Sequence, residues 1–295
     1  MITRYEADLA EVERALEETL SFPEDKLQRT VVDAMRYSVL GGGKRIRAVL
    51  ALEVCKALGS DKQKAMIPAC ALEMVHAYSL IHDDLPCMDD DDVRRGKPSC
   101  HIKFGEDIAV LAGDGLQTLA FETLSSDSAV EKLGADKCIA LVRCLSNAIG
   151  ENGMLGGQTI DIMYEGKQLN EKDHREMAAM KTGALLTAAV ECGCIAAGAS
   201  KEQTDIAKRF GMAMGTAFQI IDDILDVVSD TETLGKPAGS DIKENKNTFV
   251  TMLGLEGAKA EAKKLTDESL ELLGLLCPDN EFLPQFICRL LERTF

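Results

Sequence analysis

The sequence predicts an all-α fold of about ten or more helices, arranged as a single domain spanning residues 1–295. Three observations carry the prediction. Apolar residues recur at three- and four-residue spacing along most of the chain. Alternating β-branched runs are nearly absent, and no Asn-Gly turn joins two such runs. The 7 prolines fall mostly between the periodic stretches, where they do not interrupt helices.

The elements follow in order. "ADLAEVERALEETL" places Leu9, Val12, Ala15, Leu16 and Leu20 on one stripe with a charged back, and so predicts an amphipathic first helix. "DKLQRTVVDAMRYSVL" repeats the pattern, and Gly41, Gly42 and Gly43 end it. Further helical windows run over 45–58, 64–84, 106–124, 135–151, 171–199, 202–228 and 247–275, with residues 124–134 expected to form a loop. No fixed-period repeat or low-complexity linker divides the chain.

Composition narrows the function. A net charge of −16 argues against nucleic acid or anionic membrane as a partner, since both demand a basic footprint. The 10 cysteines are scattered through apolar helical text, and no Cys/His spacing fits a zinc site. The N-terminus is a charged amphipathic helix without the apolar core of a secretion signal. Free buried thiols in a reducing cytoplasm are therefore expected. The longest apolar stretch, Gly183 to Ser200, is interrupted by Glu191 and rich in Gly and Ala, which reads as a core helix and not a membrane span.

The chemistry concentrates in two acidic runs. "SLIHDDLPCMDDDDVRRGKP" begins on an apolar helix that delivers Asp83 and Asp84 at its C-terminal end, where the macrodipole disfavours negative charge. Pro86 ends the regular helix and allows Asp89, six positions after Asp83, to return beside the pair. Two unit charges about 4 Å apart repel by roughly 4 kcal/mol at an effective dielectric near 20, but by only about 1 in water. Converging in a cleft, these oxygens require a hard divalent cation such as Mg²⁺; splayed into solvent, they are an ordinary acidic loop.

The second run weighs on that choice. "FQIIDDILDVVSD" puts Asp222 and Asp226 four apart on one face, beside Asp223, in an otherwise apolar helix. Charge there is costly unless paired with basic residues or bound to metal. Two such clusters look like two walls of one metal-filled cavity. Cations are at hand in "GGGKRIR" (Lys44, Arg45, Arg47), Arg94 and Arg95, "MKTGALL" (Lys181, Thr182) and "LGKPAGSDIKENKNT" (Lys236, Lys246). Each alone is an ordinary surface residue. Together with the acids they suit diphosphate groups bridged by Mg²⁺. The glycine spacing is not that of a Walker loop.

These blocks, in this order, resemble the short-chain trans-prenyl diphosphate synthases, and most closely the bacterial farnesyl diphosphate synthases. "HDDLPCMDDDDVRRGKP" is similar to the family's first aspartate-rich motif, and "FQIIDDILD" to its second. The resemblance covers residues 28 to 253 and implies an isoprenoid-synthase-type helical bundle around a deep central cavity, acting as a homodimer. It further implies that Asp83, Asp84, Asp89, Asp222, Asp223 and Asp226 hold three Mg²⁺ on an allylic diphosphate. Arg94, Lys181, Thr182, Gln219 and Lys236 would contact that diphosphate, and Lys44, Arg47, His76 and Arg95 the diphosphate of isopentenyl diphosphate. The alternative for His76 is a plain core histidine, but its position on the Asp83 face of the helix supports the binding role. Asn245 departs from the family's frequent glycine, and as a residue that tolerates the left-handed region it leaves the backbone unhindered.

The activity implied is head-to-tail condensation of isopentenyl diphosphate with dimethylallyl or geranyl diphosphate to give farnesyl diphosphate. Tyr78 lies five residues before Asp83, about 7.5 Å of helical rise, and Ser79 four before it. In the family an aromatic there floors the product pocket; otherwise Tyr78 is a core aromatic. A geranylgeranyl diphosphate synthase is the alternative within the class. A non-catalytic synthase-like subunit is the alternative outside it, though such subunits usually lose one aspartate motif and both are intact here.

Overall fold

In the computed structural model, which describes residues 2–228 and 247–292, almost every regular element is a helix. The order is α1 (Ile2–Thr19), α2 (Arg29–Val39), α3 (Ile46–Ala57), a 3₁₀ turn (Lys62–Ala65) leading into α4 (Met66–Asp83), α5 (Cys100–Phe104), α6 (Glu106–Ser125), α7 (Asp127–Leu133) and α8 (Ala135–Ile149). Then come α9 (Met154–Met163), α10 (Glu171–Ala178), a π-helical turn (Ala179–Gly183), α11 (Ala184–Ala197), α12 (Lys201–Val228), α13 (Phe249–Leu276) and α14 (Phe282–Glu292). The only strands among the described residues are β1 (Val93–Arg94) and β2 (Lys97–Pro98), an antiparallel ribbon pairing Arg94 with Lys97.

Helices α3 and α4 bury long unbroken runs of residues, Ala48–Cys55 and Pro68–Val75, so they are covered on every face, and α11 buries most of its length beside them. They form the centre. Helix α6 packs on α4, α11 on α3 and α8, and α12 lies between α11 and α13. One apolar cluster runs continuously from Val12 of α1 to Leu291 of α14. A smaller one, containing Ala178, Ile220, Phe249, Ala258 and Ala262, sits where α10, α12 and α13 meet.

Charge buried in this centre is paired. The Arg45 guanidinium donates to Glu13 at 2.7 Å and to Glu73 at 3.5 Å, and the other Glu73 oxygen accepts from the Ala48 N–H at 3.1 Å. Helix α1 is held to the core by Arg4 on Glu53 and by Lys62, which reaches Asp8 at 2.6 Å and Glu11 at 2.9 Å.

Most predicted helices agree within a residue or two at their ends. The expected loop at 124–134 is instead interrupted by α7, because Ser126 accepts from the Ala129 N–H at 3.2 Å and caps a new helix that Gly134 closes. Helices α5, α9 and α14 were not expected. The continuous stretch Glu171–Ala197 contains a window long and apolar enough by composition to cross a membrane, but more than half of that window is buried within the protein. All ten cysteines are free thiols, eight of them buried.

Candidate active site

Helix α4 ends at the site. Burial of its whole upper length leaves its last turn as the wall of a cavity of about 410 Å³, lined by Tyr78, Ser79, His82 and Asp83 with Arg47, His76, Met154, Gln158, Lys181 and Thr182. Beyond Asp83 the chain folds back as Pro86 requires: the Asp89 N–H donates to the Asp83 carbonyl at 2.8 Å. Burial pushes the Asp83 carboxyl up to about 6, while Lys181 pulls it down and Asp89 pushes it up. Gln158 donates to its Oδ1 at 3.1 Å.

The three acids of the first run are not brought together. Asp83 faces the large cavity, and Asp89 lines a small neighbouring polar pocket with Gln158, Asp161, Glu165 and Asn247. Asp84 is buried on the other side of the helix, where Arg94 donates to its Oδ1 through Nε at 2.9 Å and also through Nη2. Arg94 Nη2 further contacts Asp91 at 3.0 Å. Arg94 is thereby paired with two acids of its own run. The β1–β2 turn makes this possible: Arg95 and Gly96 both have positive φ, 55° and 72°, as a two-residue turn matched to strand twist needs.

The opposite charge gathers just behind. Arg47 and His76 line the cavity, and Arg47 Nε is buried with no hydrogen-bond partner. Burial lowers the Arg47 guanidinium below its usual range, with Arg95 adding to the effect against Glu73. Burial likewise drives His76 well below the ordinary imidazole range, reinforced by Arg47, Arg95, Arg45 and Arg94, so His76 is neutral. Arg95 donates to the Gly42 carbonyl and packs on the glycine loop. Lys44 is exposed and stands outside the cavity lining, its carbonyl accepting from the Tyr5 hydroxyl at 2.6 Å.

The second wall is reached through the π turn. A π turn widens the helix by one residue and is common at functional sites; here it holds Lys181 and Thr182 at the cavity. Gly157 of α9 lets that turn approach, because a Cβ there would lie 2.2 Å from the Lys181 backbone nitrogen. Lys181 Nζ donates to Asp161 at 2.5 Å. The Thr182 hydroxyl donates to Gln219 Oε1 at 2.6 Å, Gln219 Nε2 donates to Asp223 Oδ1 at 2.9 Å, and the Phe249 N–H donates to Asp223 Oδ2 at 2.7 Å. Asp223 and Asp226 are buried and Asp222 is half-buried. Lys236 and Lys246 lie outside the described residues.

Ser79 turns its hydroxyl back to the His76 carbonyl at 3.0 Å. Tyr78 is buried below Asp83, its ring edge-on to His82 at 5.8 Å, and burial pushes its hydroxyl up to about 12. Gln158 and Asp161 are missing from the sequence-predicted set. Asp161 in "MLGGQTIDIM" carries the signal that revealed Asp222, an acid within an apolar helix.

Among the described residues no three Asp, Glu, His or Cys side chains enclose a metal ion by themselves. The donors are nonetheless carboxylate oxygens, and one of them, Asp83, is a carboxyl raised by its burial and by neighbouring Asp89. That set fits Mg²⁺, which takes one or two carboxylates and completes its shell with waters and substrate phosphate oxygens. The orphaned Arg47 nitrogen among crowded cations fits an anion.

A family profile described as polyprenyl synthetase matches residues 28–272, most of the chain. The chain belongs to the polyprenyl synthetase family. Within it, the chain is 45% identical over 255 residues to the farnesyl diphosphate synthase of Escherichia coli, covering 85% of this chain and 84% of that protein. It is also 45% identical over 244 residues to the large subunit 1 of the heterodimeric chloroplastic geranylgeranyl pyrophosphate synthase of Arabidopsis thaliana, covering 82% of this chain and 66% of the plant protein. The chain thus spans about two thirds of that relative's length. A crystal structure of a geranyltransferase from Helicobacter pylori, complexed with magnesium and isoprenyl diphosphate, superimposes with a TM-score of 0.85 at 35% identity, covering 99% of this chain and 97% of that one. The isoprenoid-synthase-type all-α fold agrees with that expected.

Proposed function

We propose that the chain is a single-domain prenyltransferase that joins isopentenyl diphosphate head-to-tail to dimethylallyl and then geranyl diphosphate, releasing farnesyl diphosphate. The observation that carries the reading is the set of groups that share one cavity. Arg47 with its unpartnered nitrogen, neutral His76, Asp83, Lys181 and buried Tyr78 all line it.

In this reading Lys44, Arg47, His76 and Arg95 bind the diphosphate of isopentenyl diphosphate. Arg94, Lys181, Thr182, Gln219 and Lys236 bind the allylic diphosphate. Asp83, Asp84, Asp89, Asp222, Asp223 and Asp226 hold Mg²⁺, directly or through water. When bound, Mg²⁺ would stabilise the charge that builds on the departing diphosphate, a role supported by the presence of magnesium with isoprenyl diphosphate in the Helicobacter structure. Lys181 adds a positive charge at the same place. The allylic C–O bond breaks with its electron pair leaving on the diphosphate. The double bond of isopentenyl diphosphate then supplies the pair for the new C–C bond, and a proton leaves the adjacent carbon for the released diphosphate. Apolar side chains such as Leu85, Met88, Val110 and Met154 keep water from the allylic cation. No protein nucleophile is required.

Tyr78 supports a fifteen-carbon product, since its ring stands where a longer tail would extend. A geranylgeranyl diphosphate synthase is the second reading, favoured by the identity to the Arabidopsis subunit. A cytoplasmic homodimer is part of the proposal. The test is incubation with Mg²⁺, labelled isopentenyl diphosphate and dimethylallyl diphosphate, followed by chromatography of the products. Mainly fifteen-carbon product is expected. Mainly twenty-carbon product would establish the second reading, and absence of incorporation would overturn both.

A further inference from the structure

One arrangement lies outside the roles assigned so far. Asn247 stands just before α13 and makes three side-chain hydrogen bonds to one short stretch of chain. Its Oδ1 accepts from the Leu169 N–H at 3.0 Å, and its Nδ2 donates to the carbonyls of Tyr164 at 3.2 Å and Lys167 at 2.9 Å. Its own carbonyl is 3.0 Å from His174 Nε2. A carbonyl only accepts, so Nε2 carries the proton, and His174 Nδ1 is buried without a partner. The imidazole is neutral, lowered chiefly by burial, and stands edge-on to Phe249 at 4.6 Å.

The next residues continue the path. Thr248 and Thr251 form a reciprocal cap that starts α13, and the following N–H, that of Phe249, is the one that holds Asp223 Oδ2 at 2.7 Å. The position of that N–H depends on where α13 begins. That start is fixed by Asn247 on one side and His174 beneath. An amide is suited to the task, because only Asn and Gln offer one acceptor and two donors in a fixed plane. Aspartate would keep the acceptor and lose both donors.

We propose that Asn247 and His174 are positioning residues for the second aspartate cluster, acting on Asp223 through the Phe249 N–H. The inference rests on the assignment of that cluster to Mg²⁺-bound diphosphate. Residues that orient a metal-binding carboxylate cost about 10- to 100-fold in affinity or activity when lost. A residue that merely capped α13 would alter stability and leave affinity unchanged.

The experiment uses the full chain and titrates inorganic diphosphate by calorimetry in the presence of Mg²⁺, alongside steady-state kinetics. Asn247→Ala is expected to weaken Mg²⁺–diphosphate binding and raise KM for the allylic substrate by about 10-fold or more. KM for isopentenyl diphosphate should stay within about twofold, since its proposed side chains lie on other elements. His174→Gln, whose amide can still donate to the Asn247 carbonyl, should retain wild-type binding, and His174→Ala should not. Asp223→Asn is the control. If it weakens binding and Asn247→Ala does not, the positioning role is overturned. If Asp223→Asn itself has no effect, the assignment of the second cluster fails, and this inference with it. Should Asn247→Ala not fold, equal affinities for His174→Gln and His174→Ala overturn the proposal.

Discussion

Thr182, in the π turn, donates its hydroxyl proton to Gln219 on α12 at 2.6 Å, and so joins the cavity wall to the second aspartate cluster. Gln219 passes the constraint on by donating to Asp223 at 2.9 Å. Members of one hydrogen-bonded chain do not contribute independently. Thr182→Ala and Gln219→Ala should each raise KM for the allylic substrate, by roughly 1–2 kcal/mol of binding free energy. The double variant should cost little more than the worse single one. Kinetics on all four proteins test this; strict additivity would show that the two residues act separately.

Tyr78 sets the second prediction. Its ring is buried and braced edge-on by His82, so removing it should open the cavity where, in the proposed reading, the product tail grows. Tyr78→Ala should lengthen the main product to twenty carbons or more, read by chromatography, and should cost about 3–5 kcal/mol of stability typical of a large-to-small core change. An unchanged fifteen-carbon product would remove Tyr78 from the floor.

How much of this was legible in the sequence depends on which signal each residue leaves. Asp83, Asp222 and Asp226 announce themselves as acids in apolar helices, and the helices themselves follow from their period. Asp161 leaves the same signal in a shorter helix, and α7 is marked by its caps, Ser126 and Gly134. The pairing of Arg94 with Asp84 has no such mark. It depends on a two-residue ribbon and on Arg95 adopting a positive φ, which a sequence does not announce for arginine. The π turn is equally silent, because "AAMKTGAL" reads as plain helix. Its consequence, Lys181 and Thr182 at the cavity, appears only once α9 packs against it through Gly157.

Arg47 carries a cost to the fold that function explains. Its Nε is buried without a partner, and burial lowers its guanidinium from the usual range. Replacing it with an apolar side chain of similar length removes that cost, so Arg47→Met should melt at a higher temperature than the wild type. An unsatisfied buried polar group is worth roughly 1–3 kcal/mol, which bounds the gain. Binding of isopentenyl diphosphate should fall by about 100-fold or more, because a charge-assisted contact is lost. His76, freed of the largest of its arginine neighbours, should titrate closer to the ordinary imidazole value. A lower melting temperature would show that Arg47 is a structural ion and not a poised binding group.

Glu53 supplies the last prediction, remote from the cavity. It is fully buried in α3, and burial first, then the neighbouring Asp8 carboxyl, push its carboxyl up to about 7 against the pull of Arg4. The ordinary value is 4.5, so between those two pH values the folded protein binds this proton more tightly than the unfolded chain does. Its stabilising contribution is therefore complete below the ordinary value, declines as pH rises, and is gone once pH passes the folded value. The decline amounts to at most about 3 kcal/mol, and less to the extent that Arg4 follows the ionised carboxylate. Glu53→Gln cannot titrate and keeps a hydrogen-bonding amide of the same size. Urea unfolding of both proteins across this pH range should give a wild-type stability that falls relative to the variant as pH increases. Two parallel curves would mean that Glu53 stays ionised throughout, with Arg4 compensating its burial in full.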